Sequence, residues 1–278
     1  MEKITDVQNV KKIITEFKTS TAFRTNIVAA RLNGESETVV FKYNDAIAFI
    51  IQEKNRDNLY FASANDDDLT SLLKNYPHSA FCDIFYRTEE PIWEIIMSSA
   101  GWKRYARYYR TTVVYGENPN SFPIQGRRAI LQQLYDPTFG EVAKTEDIPV
   151  LMGLFDKHFD ARLDDYYDEE QWKEIIARRE CLVHKEEGEI VTVFVYRIEK
   201  NKLYNSMILN LGPANWSYNL ERRVLDEAWE RGIRTQYWWT REENTKAVVR
   251  QGTIDGPAIK SKSLLYNDIY TNAKIEKV

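Results

Sequence analysis

Only two cysteines occur in the 278 residues, Cys82 and Cys181. Each sits in an apolar, strand-like run with nothing of metal-ligand spacing beside it, which excludes a disulfide scaffold or a zinc ribbon and leaves both as reduced packing residues. An excess of one charge is missing too: 38 Lys and Arg stand against 42 Asp and Glu, for a net charge of −4. Without a strong positive field, nucleic acid is not an expected partner. No apolar run approaches bilayer length, and residues 1–11 lack the apolar centre of a signal peptide, so the expected compartment is the cytoplasm and no membrane partner is expected. Gly-x-Ser-x-Gly, a Walker sequence, His-Glu-x-x-His and Cys-x-x-Cys are all absent, which removes support for hydrolases of those kinds, nucleotide-driven motors and zinc sites.

What is present is an ordinary globular composition, 43% hydrophobic and 29% charged, long enough for two domains with separate cores. Seventeen tyrosines and seven tryptophans stand out, side chains that fill cores or line ligand clefts. Val7, Val10, Ile14 and Phe17 recur at helical spacing and predict a first helix. Strand-like runs follow at 26–32, 38–43, 46–52 and 58–63, separated by turn chemistry that suits an antiparallel meander. The Asp66-Asp67-Asp68 run, ahead of Leu69, Leu72 and Leu73, reads as the start of a helix rather than a metal site, since three successive side chains there cannot converge on one ion. A strand at 80–86, a helix at 91–99 and a long tyrosine-rich strand at 103–114 complete this half. Two prolines and Asn-Pro-Asn-Ser in 116–123 mark a connector, placing domains at 1–120 and 121–278. A helix over 127–135 is expected to pack between the halves.

The second half gives a short strand (139–143), a helix capped by Thr145-Glu146-Asp147, a helix at 169–179, a hairpin of 180–184 and 190–198, and a strand at 203–211. After the Gly212-Pro213 break come an amphipathic helix (218–231), a strand (235–240) and a short helix opened by Asn244. The amino end of a helix then lies just beyond a strand terminus, where unpaired N–H groups and the helix dipole favour an anion such as a cofactor pyrophosphate.

This order, strand, two helices, three antiparallel strands, helix, strand, helix, resembles the GCN5-related N-acyltransferase (GNAT) domain, and residues 1–120 resemble it more loosely. The resemblance implies an α+β fold: two tandem GNAT-like domains, each a mostly antiparallel twisted sheet flanked by helices, the N-terminal one structural. It also implies acetyl-CoA or another acyl-CoA as co-substrate, with no metal, and a small-molecule or peptide amine as acceptor. Donation from an aminoacyl-tRNA, as in other two-domain members, is disfavoured by the lack of a basic face. Where the family opens its phosphate-binding helix with Arg or Gln and small residues, this chain has Trp216, Asn219 and Glu221. Asn219 tolerates a left-handed backbone, whereas Glu221, if turned inward, repels phosphate.

The residues expected to hold the cofactor are Leu211, Gly212, Trp216, Ser217, Tyr218 and Asn219, with Ser217 as helix cap, and Asn244, Ala247 and Arg250 further on. Asn244-Thr-Lys-Ala247 looks like the family's Asn-x-x-Ala, in which Asn contacts the pantetheine arm. The tyrosine that protonates the departing thiolate one turn later is replaced by Arg250 and Gln251, and arginine is too weak an acid to serve. Tyr266 is the substitute acid, or an ordinary strand aromatic. For the remaining chemistry the candidates are Tyr204, Asn205 and Asn210 on the strand, His158, and the acidic stretch containing Asp160, Asp164 and Asp165 beside Tyr166 and Tyr167. His158 is the candidate base as an imidazole, the side-chain type suited to that role, although a histidine ending a helix also serves its dipole. The acidic stretch suits a cationic acceptor or a solvated loop. The alternative function is a non-catalytic ligand-binding or interaction module of the same fold; the two differ in whether the strands either side of the helix part beside Asn210 and Tyr237 or are plugged by Trp216, Trp238 and Trp239.

Overall fold

The computed structural model describes residues 2–4, 7–27, 40–52, 55–88, 90–121, 127–244 and 258–273. The chain divides into two units, Met1–Tyr108 with Leu265–Val278, and Tyr109–Leu264. Both crossings fall inside strands rather than at the proline-rich connector near Ser121. The stretch ahead of that connector is already bound into the second unit: Tyr115 N donates to Arg234 O at 2.8 Å, Tyr115 OH to Gln236 Oε1 at 2.6 Å, and Asn120 Nδ2 to Arg222 O at 2.9 Å.

In the first unit, β1 (Glu2–Ile4), α1 (Val7–Phe17), β2 (Arg24–Thr25), β3 (Val40–Tyr43), β4 (Ala46–Gln52), β5 (Asp57–Ser63), α2 (Asp66–Lys74), β6 (Phe81–Tyr86), α3 (Pro91–Ser99) and the first part of β7 (Lys103–Tyr115) follow in order. Of the run expected at 26–32, Asn26 and Ile27 lie outside any strand and the rest lies outside the described residues. Strands β1, β3, β4 and β5 pair antiparallel in that sequence. Along β4 and β5 the alternation is apolar on both faces: Ala46, Ala48, Leu59 and Phe61 pack with α2 and α3, while Ile47, Phe49, Tyr60 and Ala62 pack with α1. Such two-sided burial needs helices on each face of the sheet.

β5 and β6 are parallel and share one pair, Asn58 with Phe81. The gap beyond it is closed by the chain's own residues. Thr25 pairs with Ala62, and the Asn26 side chain spans both strands, its Nδ2 donating to Leu59 O (2.9 Å) and Asp83 O (3.2 Å) while its Oδ1 accepts from Phe61 N (2.7 Å). On its other edge β6 pairs antiparallel with residues 266–271. At the start of α2, Asn65 Oδ1 accepts from Asp67 N (2.8 Å) and Asp68 N (3.1 Å), and three aspartates fill the first turn.

The second unit contains the rest of β7, α4 (Arg127–Gln133), β8 (Glu141–Val142), a 3₁₀ turn (Thr145–Asp147) running into α5 (Ile148–His158), α6 (Glu169–Ala177), β9 (Cys181–Glu186), β10 (Glu189–Glu199), β11 (Lys202–Asn210), α7 (Ala214–Glu230), β12 (Thr235–Arg241) and the start of β13 (Ile259–Thr271). Glu187 and Gly188, both at positive φ, make the tight β9–β10 turn. β8 to β11 pair antiparallel in sequence order, and β12 joins β11 in parallel. One face of this sheet packs on α5 and α6 through Leu151, Phe155, Trp172 and Ile175, the other on α7 through Leu220, Val224 and Leu225. Cys82 and Cys181 are free and fully buried, as expected of packing residues.

Candidate active site

β11 and β12 pair over four positions, from Lys202 with Thr235 to Asn205 with Trp238, and then part, β11 running on to Asn210 and β12 to Arg241. A β-bulge lies at the point of separation. Val195 opposes Met207 and Tyr196 opposes Asn205, which leaves Ser206 as an extra residue on β11. The bulge reverses the faces: Leu203 packs on the α7 side, Met207 and Leu209 on the α5–α6 side. Tyr204 and Asn210, which strict alternation places together, therefore sit on opposite faces of the sheet.

On the α5–α6 face, Asp165 gathers the side chains around the bulge. Its Oδ2 accepts from Ser206 Oγ (2.5 Å), Tyr204 OH (2.8 Å), Arg197 Nη2 (3.1 Å) and Tyr167 OH (3.2 Å), and Ser206 Oγ also lies 2.5 Å from Tyr167 OH. Oδ1 has no partner among the described residues. Burial, reinforced by the Asp165 charge, keeps the Tyr204 and Tyr167 hydroxyls protonated well above the usual phenol range. They act as fixed hydrogen-bond donors. Neither Ser206 nor Arg197 stood out in the sequence, because an isolated serine and a strand-end arginine carry no local signal; Asp165, Tyr167 and Tyr204 did.

A cross-strand row extends this cluster. Arg197 opposes Tyr204 on β10 and β11, Tyr204 opposes Tyr237 on β12, and the two rings stack at 4.7 Å and 11°. The Arg197 guanidinium lies 5.4 Å from the Tyr204 ring centre, and that of Arg110, from β7, lies 5.6 Å from the rings of both Tyr237 and Trp239. Tyr237 OH donates to Glu199. Trp238 and Trp239 are half-buried, and Trp216 packs instead on Gly212 and His184.

On the α7 face the helix starts at Ala214, with Pro213 as its N-cap, and neither a capping side chain nor an acidic residue occupies its first turn. The sequence put that start at Tyr218 with Ser217 as cap. Ser217 instead lies inside the helix, its Oγ donating to Ala214 O at 3.3 Å. Trp216, Asn219 and Glu221 consequently lie within the helix rather than at its mouth, Glu221 about 10 Å down the axis from Ala214 at about 1.5 Å per residue. Trp216 covers Gly212 and meets His184 edge-on at 4.7 Å. Asn210 braces the turn, accepting from Thr192 Oγ1 (2.9 Å) and Gly212 N (3.2 Å) and donating to Pro213 O (3.0 Å). Leu211 N donates to Val191 O at 2.9 Å. Tyr218 and Asn219 are buried, Asn219 Oδ1 accepting from Asp136 N at 3.3 Å. The anion-binding capacity of this face thus resides in the amides that open α7, not in the side chains of 216–219.

The other sequence candidates are dispersed. His158 is exposed at the carboxyl end of α5, suited to its dipole. Tyr266 belongs to the first unit, stacked on Tyr86 at 5.2 Å and 7°. Asn244 is exposed in the turn after β12, its N–H on Arg241 O at 3.0 Å, while Ala247, Arg250 and Gln251 lie outside the described residues. Asp160 and Asp164 turn inward on their own loop, where Asp164 Oδ2 accepts from Asp160 N at 2.9 Å. Among the described residues no group of His, Cys, Asp and Glu has metal-site geometry, and no helix is long and apolar enough to cross a membrane.

No family model and no curated protein matches this chain. It is similar to solved GCN5-related acetyltransferase structures. One, a GCN5-related N-acetyltransferase from Sphaerobacter thermophilus, is 11% identical with a TM-score of 0.49, covering 80% of this chain and 76% of that one. A putative GNAT acetyltransferase from Novosphingobium aromaticivorans is 10% identical, TM-score 0.46, covering 83% and 90%. A GNAT acetyltransferase from Colwellia psychrerythraea is 11% identical, TM-score 0.46, covering 96% and 98%.

Proposed function

We propose that the second unit is an acyltransferase that moves an acyl group from acyl-CoA, acetyl-CoA in the simplest case, to an amine. The observation that carries this reading is the parting of β11 from β12 beyond Asn205 and Trp238. A thioester arm needs an extended slot with a polar backbone edge, and the β11 edge vacated by β12 supplies one. The donor phosphates are assigned to the amides opening α7, with Asn244, and Ala247 and Arg250 by resemblance, beside the pantetheine arm. The acceptor is assigned to the Asp165 face.

In the reaction the amine nitrogen forms a bond to the thioester carbonyl carbon. Backbone N–H groups of β11 take up the charge on its oxygen. The C–S bond then breaks, the amine loses one proton and the thiolate gains one. Tyr204 and Tyr167 hold their protons too tightly to act as that acid, so their part is to fix Asp165. Tyr266 has no part in this reading. The first unit serves as a structural domain with the same strand–helix–strand order, its gap closed by Asn26 and its helix mouth filled by Asn65 and three aspartates, which repel an anion.

The test is a thermal-shift titration with acetyl-CoA, longer acyl-CoAs and CoA. A concentration-dependent rise in Tm is expected, and A214D, which places a carboxylate at the α7 mouth, is expected to remove it without lowering the basal Tm. No shift with any CoA at millimolar concentration sinks the reading. A second reading, a non-catalytic module, draws on Leu211 and Gly212, whose amides are already engaged by Val191 and Asn210. CoA binding without turnover of any amine favours it.

A further inference from the structure

We propose that the acceptor is a zwitterionic amine, an amino acid or compound of that kind, whose ammonium group meets Asp165 and whose carboxylate meets Arg110. The inference rests on the acyl-transfer reading for the word acceptor, while the binding it describes stands by itself. Its basis is a carboxylate with one oxygen still open and a cation without an ion-pair partner among the described residues, placed along one row of the sheet. Asp165 directs four donors onto Oδ2 and leaves Oδ1 without a partner. Arg110 makes no hydrogen bond and no ion pair among the described residues, and its Nε is buried without a partner. The guanidinium is half-buried against the rings of Tyr237 and Trp239, and its Nε is out of water with no compensating acceptor among the described residues. It is a ready partner for a planar carboxylate, which fits its fork of donors.

Three features narrow the ligand to one carrying both charges. Asp165 and Arg110 flank the stacked Tyr204–Tyr237 pair, so a molecule reaching both lies across a floor made by the edges of the two rings. That floor is one step below the position where β11 and β12 separate, which sets an amine held by Asp165 beside the slot. Finally, the row lies on the α5–α6 face, whereas the α7 amides open on the other, so Arg110 is not placed to share the donor's pyrophosphate. The nearby charges balance: Arg197 pairs with Asp165, and Glu199 accepts from Tyr237. A ligand with compensating charges enters such a site without leaving an excess of either sign.

Binding is measured without any CoA, by thermal shift or calorimetry, using free amino acids, the amines that result from their decarboxylation, and their N-acetyl derivatives. At least one amino acid is expected to bind about tenfold or more tightly than both its decarboxylated and its N-acetylated forms, since each lacks one charged contact. R110Q is expected to abolish the preference for the carboxylate while the acyl-CoA shift persists, and R110K to restore only part of it. An unchanged acyl-CoA shift also shows that the variant is folded. Decarboxylated amines that bind as well as amino acids, an R110Q protein that keeps the preference, or no shift with any member of the panel would each overturn the proposal. A response to amino acids but to no acyl-CoA leaves it standing and removes the acyl-transfer reading.

Discussion

Asp165 holds four neighbours with one oxygen, so exchanging its carboxylate for an amide affects more than a charge. D165N weakens every donor contact at the bulge and sets an amide N–H₂ against hydroxyl and guanidinium donors. The expected cost is about 2 kcal/mol of stability, read from urea unfolding, together with loss of amine binding. Tyr204 supplies a pH test. Its hydroxyl, like that of Tyr167, is pushed upward by burial and by Asp165, so the native state keeps protons that the unfolded chain releases above about pH 10. The stabilisation is fully present below that pH and is lost as pH rises beyond it. Unfolding midpoints should fall steeply from about pH 10 upward, and Y204F should flatten that fall while lowering stability at neutral pH. A flat alkaline profile in the unaltered protein contradicts this account of the cluster. Gly212 tests packing instead: an added Cβ lies 2.0 Å from the Trp216 ring, so G212A should displace Trp216 and cost about 1–3 kcal/mol.

At the scale of elements, much was legible. β4 and α3 have the bounds expected from their apolar patterns, and α1 follows the apolar stripe ending at Phe17. The start of α7 was not. Asn215 and Ser217 are cap-type residues, but the helix begins ahead of both because Trp216 packs on Gly212 and His184, contacts set by strands β9 and β11 and invisible to local chemistry. The bulge was equally hidden, since an extra serine leaves no mark on the pattern yet moves Asn210 to the face opposite Tyr204. For the candidate site, the sequence singled out β11 and the acidic loop, whose Tyr204 and Asp165 the structure brings together, and named residues of the turn after β11 as cofactor ligands. Asn26 yields a prediction here. Its side chain alone bridges Leu59, Phe61 and Asp83, so N26A should cost about 3 kcal/mol by stranding backbone groups in the first unit. Hydrogen exchange should then accelerate at Phe61 first.

On the scale of the whole molecule, the division of the chain decides which fragments fold. A fragment of residues 121–278 discards Tyr115, Asn118 and Asn120, all bonded within the second unit, and retains a tail whose partner, β6, is gone. It should be poorly soluble, whereas a fragment of residues 109–264 should unfold cooperatively; circular dichroism with a urea gradient distinguishes the two.

The same division orders the events of synthesis. Residues 266–271 form the antiparallel partner of β6, which otherwise shares a single pair with β5. Chains grow from the amino end and domains fold as units while they emerge. The first unit, although begun first, is therefore the last to close. While the ribosome adds the entire second unit, β6 waits with one edge bare, and a bare apolar edge is a template for pairing with other chains.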